Sequence, residues 1–196
     1  MSPNRSVCVF CGSSPGADPA YAEAARSLGL ALVESNLRLV YGGGNVGLMG
    51  ILADSVVDAG GTVVGVIPKF LAKKELAHRG ISEVREVETM HERKTTMMEL
   101  ADAFVALPGG IGTLEEFFEV WTWVQLGLMK KPIGILNVEH LFDPLLTFME
   151  ELTRQRFIKP EHHDLLVVAE NPIDLLKRLW ETDYPAADKW IDRSKL

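Results

Sequence analysis

Five short runs rich in β-branched residues, "SVCVFCG", "LRLVYGGG", "TVVGVIP", "AFVALPGG" and "PIGILN", each run into glycine, proline or asparagine, and stretches of helical periodicity separate them. This alternation constrains the fold more than any other feature. The runs are apolar on both faces, which suits strands of a parallel sheet covered on both sides. The expected fold class is therefore α/β: a Rossmann-like doubly wound parallel sheet with helices on both faces. In such sheets ligands bind beyond the carboxyl ends of the strands.

Between the first two runs, "DPAYAEAARSLGLALVESN" places Tyr21, Ala24, Leu28, Ala31 and Leu32 on one helical face, with Asp18 as N-cap and Pro19 at the first helical position. "VGLMGILADSVVDAGG" reads as a second helix, closed by Gly60. The charged stretch from Lys69 to Glu88 breaks the rhythm and ends in "SEVREVETM", an edge strand or a loop. "DPLLTFMEELTRQRF" and "NPIDLLKRLWE" supply the last helices. A chain of 196 residues with 47% hydrophobic content suits one core, hence a single domain over residues 1–181 and a polar C-terminal tail over 182–196.

A formal charge of −7 repels a phosphate backbone, and no basic stripe with interleaved aromatics is present, so nucleic acid is not an expected partner. No apolar run approaches the roughly 18 residues of a membrane span, and the start lacks the pattern of a secretory signal. No membrane association is expected, and a cytoplasmic location is. Cys8 and Cys11 form a C-x-x-C, but on a strand running into a loop they point to opposite faces. The five histidines show no partner spacing for zinc, so two reduced structural thiols and no metal are expected.

Three strand ends are glycine-rich. Gly42, Gly44 and Gly47 satisfy G-x-G-x-x-G, yet the following strand ends in Pro68 and Lys69 where a nicotinamide site needs an acid for the ribose. A tight turn and a ligand contact through Gly43 and Gly44 weigh equally there. The first strand ends in "CGSSPG", where Ser14 is a further candidate contact. The third, "LPGGIGTLEE", brings glycines and helix-terminal amides together as an anion cradle, without the lysine of a Walker A loop. The same residues also read as a capping box, with Thr113 as N-cap and Glu116 reaching back to its N–H. A second T-x-x-E, Thr89 to Glu92, starts the helix "MHERKTTMMELAD", on which Arg93 and Met97 share a partly apolar face.

"MHERKTTM" followed by "LPGGIGTLEE" resembles the paired signatures of the LOG (Lonely Guy) family of cytokinin riboside 5′-monophosphate phosphoribohydrolases. "VFCGSS", "LVYGGGNVGLMG" and "VVGVIP" resemble the family's successive strand ends, and "KELAHRGISEV" its substrate-contacting connection. Older descriptions of such sequences as lysine decarboxylases find no support, since nothing here resembles a pyridoxal-phosphate lysine site. The family motif P-G-G-x-G-T-x-x-E falls on Pro108, Gly109, Gly110, Gly112, Thr113 and Glu116 without a gap. The resemblance implies that Arg93 and Glu116 are catalytic. It also implies that Glu75, Arg93, Lys94 and the segment Gly109, Gly110, Ile111, Gly112, Thr113, Leu114 and Glu115 bind substrate, with Ser14, Gly43, Gly44 and Met97 as further contacts.

The implied activity releases a free base and ribose 5-phosphate from a nucleoside 5′-monophosphate, without a cofactor. Such cleavage passes through a cation-like sugar, which Glu116 would stabilise while Arg93 positions it and keeps it ionised. No residue is identified as the acid that protonates the leaving base. The helix "EEFFEVWTWVQLGLM" is apolar nearly all round, which predicts a homodimer, as the family resemblance also implies. The alternative from another class is a nucleotide-binding or cofactor-carrier protein without turnover.

Overall fold

Val7 and Val9 of β1 (Arg5–Phe10) face one layer of helices, while Cys8 and Phe10 face the other. This period of two repeats across a seven-stranded sheet, seen in a computed structural model that describes residues 5–182 apart from the side chains of Lys74 and Glu75. The other strands are β2 (Leu37–Tyr41), β3 (Val63–Pro68), β4 (Glu83–Val87), β5 (Ala103–Ala106), β6 (Ile133–Leu136) and β7 (Leu166–Ala169). Every neighbouring pair is parallel, in the order β4-β3-β2-β1-β5-β6-β7. The chain winds outward from β1 to β4, returns to the middle at β5, and winds out the other way. β1 and β5 are thus the topological switch point, where the crossovers on either side diverge and leave a crevice.

One face carries α1 (Pro19–Glu34), α2 (Gly47–Asp58) and, from the end of the chain, α8 (Pro172–Glu181). A short turn α3 (Lys69–Leu71) runs into a π-helical turn, Ala72–Leu76. The other face carries α4 (Met90–Leu100), α5 (Ile111–Gln125) and α6 (Asp143–Arg154); α7 (Pro160–His163) is a single turn after it. The doubly wound expectation therefore holds.

Local signals explain most boundaries. Asp18 caps α1 by accepting from the N–H of Ala20 at 2.9 Å, with Pro19 behind it. Gly60 takes the left-handed backbone, φ +78°, that stops α2. "SEVREVETM" contains a true edge strand, β4. β7 has no counterpart among the expected strands, because four residues at a sheet edge with half-exposed Leu166 and Val168 carry too little periodicity to stand out. The expected tail over 182–196 lies, Thr182 aside, outside the described residues.

Cys8 packs in the α4/α5 layer and Cys11 in the α1/α2 layer, both as free thiols. Burial pushes both thiols well above the ordinary range, with the nearby Glu116 carboxylate adding to it, so they stay protonated and unreactive. Among the described residues no group of three His, Cys, Asp or Glu side chains could hold a metal ion. No helix among them is long and apolar enough to cross a membrane.

Candidate active site

The backbone beyond β5 is stitched to the loop beyond β1. Leu107 donates its N–H to the carbonyl of Phe10 at 2.9 Å, and Gly12 donates to that of Pro108 at 3.0 Å. The two loops open side by side at the switch point. Between them lies a cleft of about 280 Å³ lined by Ser13, Ser14, Tyr21, Pro108, Gly109 and Gly110, with Leu141 on one wall.

The start of α5 departs from the capping-box expectation. Its first intrahelical bond runs from the N–H of Leu114 to the carbonyl of Gly110 at 3.1 Å, so the helix begins at Ile111 and Gly110 is the N-cap. Thr113 is not the cap but the third helical residue, buried against Gly109, where an added Cβ would overlap its hydroxyl. Glu116 does not reach back to the Thr113 N–H. A salt bridge to Arg93 takes its carboxylate instead. The sequence signal misleads because glycine is itself a competent N-cap and needs no side-chain oxygen.

This helix start matters for chemistry. The amides of Ile111, Gly112 and Thr113 precede the first intrahelical bond and form an uncapped positive helix end. Gly110 and Gly112 have open space where a Cβ would stand, and neither has a positive φ. Packing among the described residues gives no reason for glycine at either position.

Arg93 lies one turn into α4, whose N-cap Thr89 accepts from the N–H of Glu92 at 3.1 Å. Glu92 in turn accepts from the N–H of Glu88 at 2.8 Å, one residue beyond the partner a capping box would give it. The Arg93 guanidinium is held at three points: Nε donates to the carbonyl of Val66 at 3.2 Å, Nη2 to that of Gly42 at 3.5 Å, and Nη1 to Glu116 Oε1 at 2.6 Å. Any side chain at Gly42 would collide with that guanidinium. Sequence reasoning places Gly42 only within a dinucleotide pattern, and no local signal marks it as the seat of an arginine 51 residues away.

The Arg93 and Glu116 side chains are each only 11% exposed. Burial pushes the Glu116 carboxyl above its ordinary range. Arg93 pulls it back by less, and Glu115 adds to the rise. Arg93 thus favours the ionised form of Glu116 against the effect of burial without cancelling it. Lys94 bridges Glu115 at 2.6 Å and Glu119 at 3.0 Å on α5; the bond to Glu115 chiefly raises its pKa.

The further expected contacts fall out unevenly. Ser14 is exposed and lines the cleft. Gly43 and Gly44 are buried: Gly43, at φ +74°, lies against β3, and Gly44 pairs with Ala77 in an isolated antiparallel bridge. The structure thus has a tight turn there. Met97 is 1% exposed in the core between sheet and helices, so it offers no surface to a ligand. Glu75 sits on the π-helical turn, and its side chain lies outside the described residues.

A family model described as "Possible lysine decarboxylase" matches residues 49–179. The probable cytokinin riboside 5′-monophosphate phosphoribohydrolase LOGL9 of Oryza sativa subsp. japonica is 51% identical over 177 residues, spanning 90% of this chain and 78% of that protein. The cytokinin riboside 5′-monophosphate phosphoribohydrolase LOG7 of Arabidopsis thaliana is 50% identical over 177 residues, 90% of this chain and 82% of its own. The chain belongs to the LOG family. Solved structures reach further: the molybdenum cofactor carrier protein of Chlamydomonas reinhardtii matches with a TM-score of 0.69 at 20% identity, over 91% of this chain and 99% of that one. The molybdenum cofactor binding protein of Rippkaea orientalis matches at 0.67 and 20%, over 90% and 95%. At that identity the likeness establishes a common fold, on which the LOG-family chain carries its own Arg93–Glu116 pair.

Proposed function

We propose that the chain hydrolyses the N-glycosidic bond of cytokinin riboside 5′-monophosphates, that is N6-substituted AMP, and of AMP itself, releasing the free base and ribose 5-phosphate. The observation that carries this reading is a buried Arg93–Glu116 pair next to an uncapped helix end with two glycines that no internal contact requires. The names of the 46–51% identical relatives support the substrate class.

The 5′-phosphate sits at the α5 amides, with Ser14 and the Gly109–Thr113 segment around it. This anchors the sugar and orients C1′ toward Glu116, one turn further along the helix. As the C1′–N bond breaks, positive charge develops on the sugar, and the Glu116 carboxylate offsets it in a site from which water is largely excluded. Water then adds its hydroxyl to C1′ while its proton balances the departing base. Arg93, fixed by two backbone carbonyls, sets the position of the carboxylate. The reading assigns no cofactor or metal to these steps.

Half-buried Phe118, Trp123 and Leu126 and an exposed Leu128 leave one side of the α5 region without cover among the described residues, which supports a homodimer. A cytoplasmic site of action belongs to the same reading.

The test is a substrate panel: isopentenyladenosine monophosphate, AMP and the matching nucleosides, with base release measured. Turnover of monophosphates only is expected, and a Glu116→Gln variant that is folded yet slower by about 10²–10³-fold. Tight nucleotide binding without base release would instead establish the carrier alternative.

A further inference from the structure

His78 is 6% exposed, and both ring nitrogens are engaged. Nδ1 accepts the N–H of Gly80 at 3.1 Å, which leaves the ring proton on Nε2, 2.8 Å from Asp54 Oδ1 on α2. The neutral ring thus joins the segment after the π-helical turn to a helix on the opposite side of the β2–α2 turn. The backbone of the same segment lies along that turn. His78 donates its N–H to the carbonyl of Gly43 at 2.9 Å, Asn45 donates to that of Leu76 at 2.7 Å, and Gly44 bridges Ala77. Beneath, Gly43, at φ +74°, lies against β3, where a Cβ would stand 3.0 Å from that of Ile67 and 3.2 Å from the Val66 backbone. The carbonyls of Gly42 and Val66 are two of the three points that hold Arg93.

We propose that His78, anchored by Asp54, is a positioning residue for the reaction: it latches residues 76–80 over the Gly42–Asn45 turn and so fixes the Arg93 guanidinium against Glu116. The proposal rests on the hydrolase reading for its catalytic half only. Among the described residues no hydrogen bond joins residues 76–80 to the α5 amides, so the latch acts chiefly on turnover and less on anchoring of the sugar phosphate. A role in core packing alone, by contrast, would show as lost stability with unchanged turnover by the folded fraction.

Two conservative variants separate the two halves of the ring. His78→Asn keeps an acceptor for the Gly80 N–H, in the manner of an Asx turn, but cannot reach Asp54. His78→Gln can extend an amide donor to Asp54. Three readouts apply to these variants and to Asp54→Ala in the full chain: amide hydrogen exchange at Asn45 and position 78, kcat and KM for AMP, and inhibition by ribose 5-phosphate. Expected for His78→Asn and Asp54→Ala are faster exchange at both amides and a kcat lower by about tenfold, as for a catalytic group displaced by a fraction of an ångström. Inhibition by ribose 5-phosphate should stay within about twofold of wild type. His78→Gln should recover most of kcat, and lose that recovery when combined with Asp54→Ala. Unchanged kcat in the folded variants, or equal weakening of kcat and of ribose 5-phosphate binding, overturns the proposal. Absence of base release by the wild type overturns the hydrolase reading and the catalytic half with it, while the exchange data still decide whether the latch holds the turn.

Discussion

Adjacent glycines in the β5–α5 loop should respond oppositely to the same substitution. At Gly109 an alanine Cβ would overlap the Thr113 hydroxyl and come within 2.9 Å of the Gly12 nitrogen, both held by the fold. Overpacking of that kind costs about 1–3 kcal/mol, which for a chain of this size lowers Tm by roughly 2–12 °C. At Gly110 the same Cβ meets nothing within 4 Å, and the backbone, at φ −96° and ψ −155°, is open to any residue. Alanine is a poorer N-cap than glycine, by roughly 0.5–1 kcal/mol, and regains about 0.4–1 kcal/mol through a less flexible unfolded chain. Tm for Gly110→Ala should therefore stay within about 2 °C of wild type. The new methyl does, however, stand in the cleft where the proposed hydrolase reading puts the phosphate against the helix amides. Loss of one charge-assisted hydrogen bond is worth about 1.5–3 kcal/mol, roughly a 10- to 150-fold rise in KM for AMP. Melting by differential scanning fluorimetry and initial rates of base release measure both quantities. A Gly110→Ala enzyme with wild-type KM would refute the placement of the anion; equal destabilisation by the two variants would refute the steric argument.

Three further outcomes are expected. The acid limb of the kcat–pH profile should lie above the ordinary carboxylate range, because burial raises Glu116, and Glu115→Gln should move it down by removing a like charge; an acid limb unmoved by that change would detach the profile from Glu116. Arg93→Lys should cut kcat about 10²-fold with a smaller change in KM, since one ammonium cannot span two carbonyls and a carboxylate; single-turnover kinetics at saturating substrate check this. Leu128→Glu, placing a charge on a residue 69% exposed in the single chain, should convert a dimer to a monomer by light scattering, and an unchanged mass would place the interface elsewhere.

The fold was legible because the long helices such as α1 and α5 show their own repeat and the central strands read as apolar runs ending in glycine, proline or asparagine. Leu28, Ala31 and Leu32 do lie on the buried face of α1, and the doubly wound order follows once the strands are apolar on both faces. β7 escaped because it is a sheet edge with Leu166 and Val168 half-exposed, whereas β5 and β6, no longer than it, are buried on both faces. At the site, local rules assigned one pair a capping role that the structure does not give it. Thr113 and Glu116 match a capping box by spacing. Spacing does not report that Gly110, just ahead of Ile111, can itself begin the helix, nor that an arginine 23 residues back competes for the carboxylate. Gly42, the Val66 carbonyl, Asp54 and Leu141 were silent for the same reason: their roles exist only once separate strand ends are brought together.

The protonation of Glu116 tests whether the pair serves the fold or the reaction. Its carboxyl is raised in the folded chain, with the attraction of Arg93 already included. A raised carboxyl means that the folded state favours the neutral form. The stabilising contribution is complete below the unfolded value and is lost as pH rises through the folded one, so at neutral pH the ionised carboxylate subtracts from stability. In Glu116→Gln the amide oxygen can still accept from Arg93 Nη1, and Arg93 keeps the carbonyls of Val66 and Gly42. The variant should therefore melt no lower than wild type at pH 7, with any margin closing as pH falls toward the ordinary carboxylate range, while turnover is lost. A melting temperature clearly below wild type at pH 7 would mean that the ion pair is chiefly a structural tie between α4 and α5. Equal or higher stability with lost turnover would show a buried charge retained against the interest of the fold, which is what a group built to face a sugar cation requires.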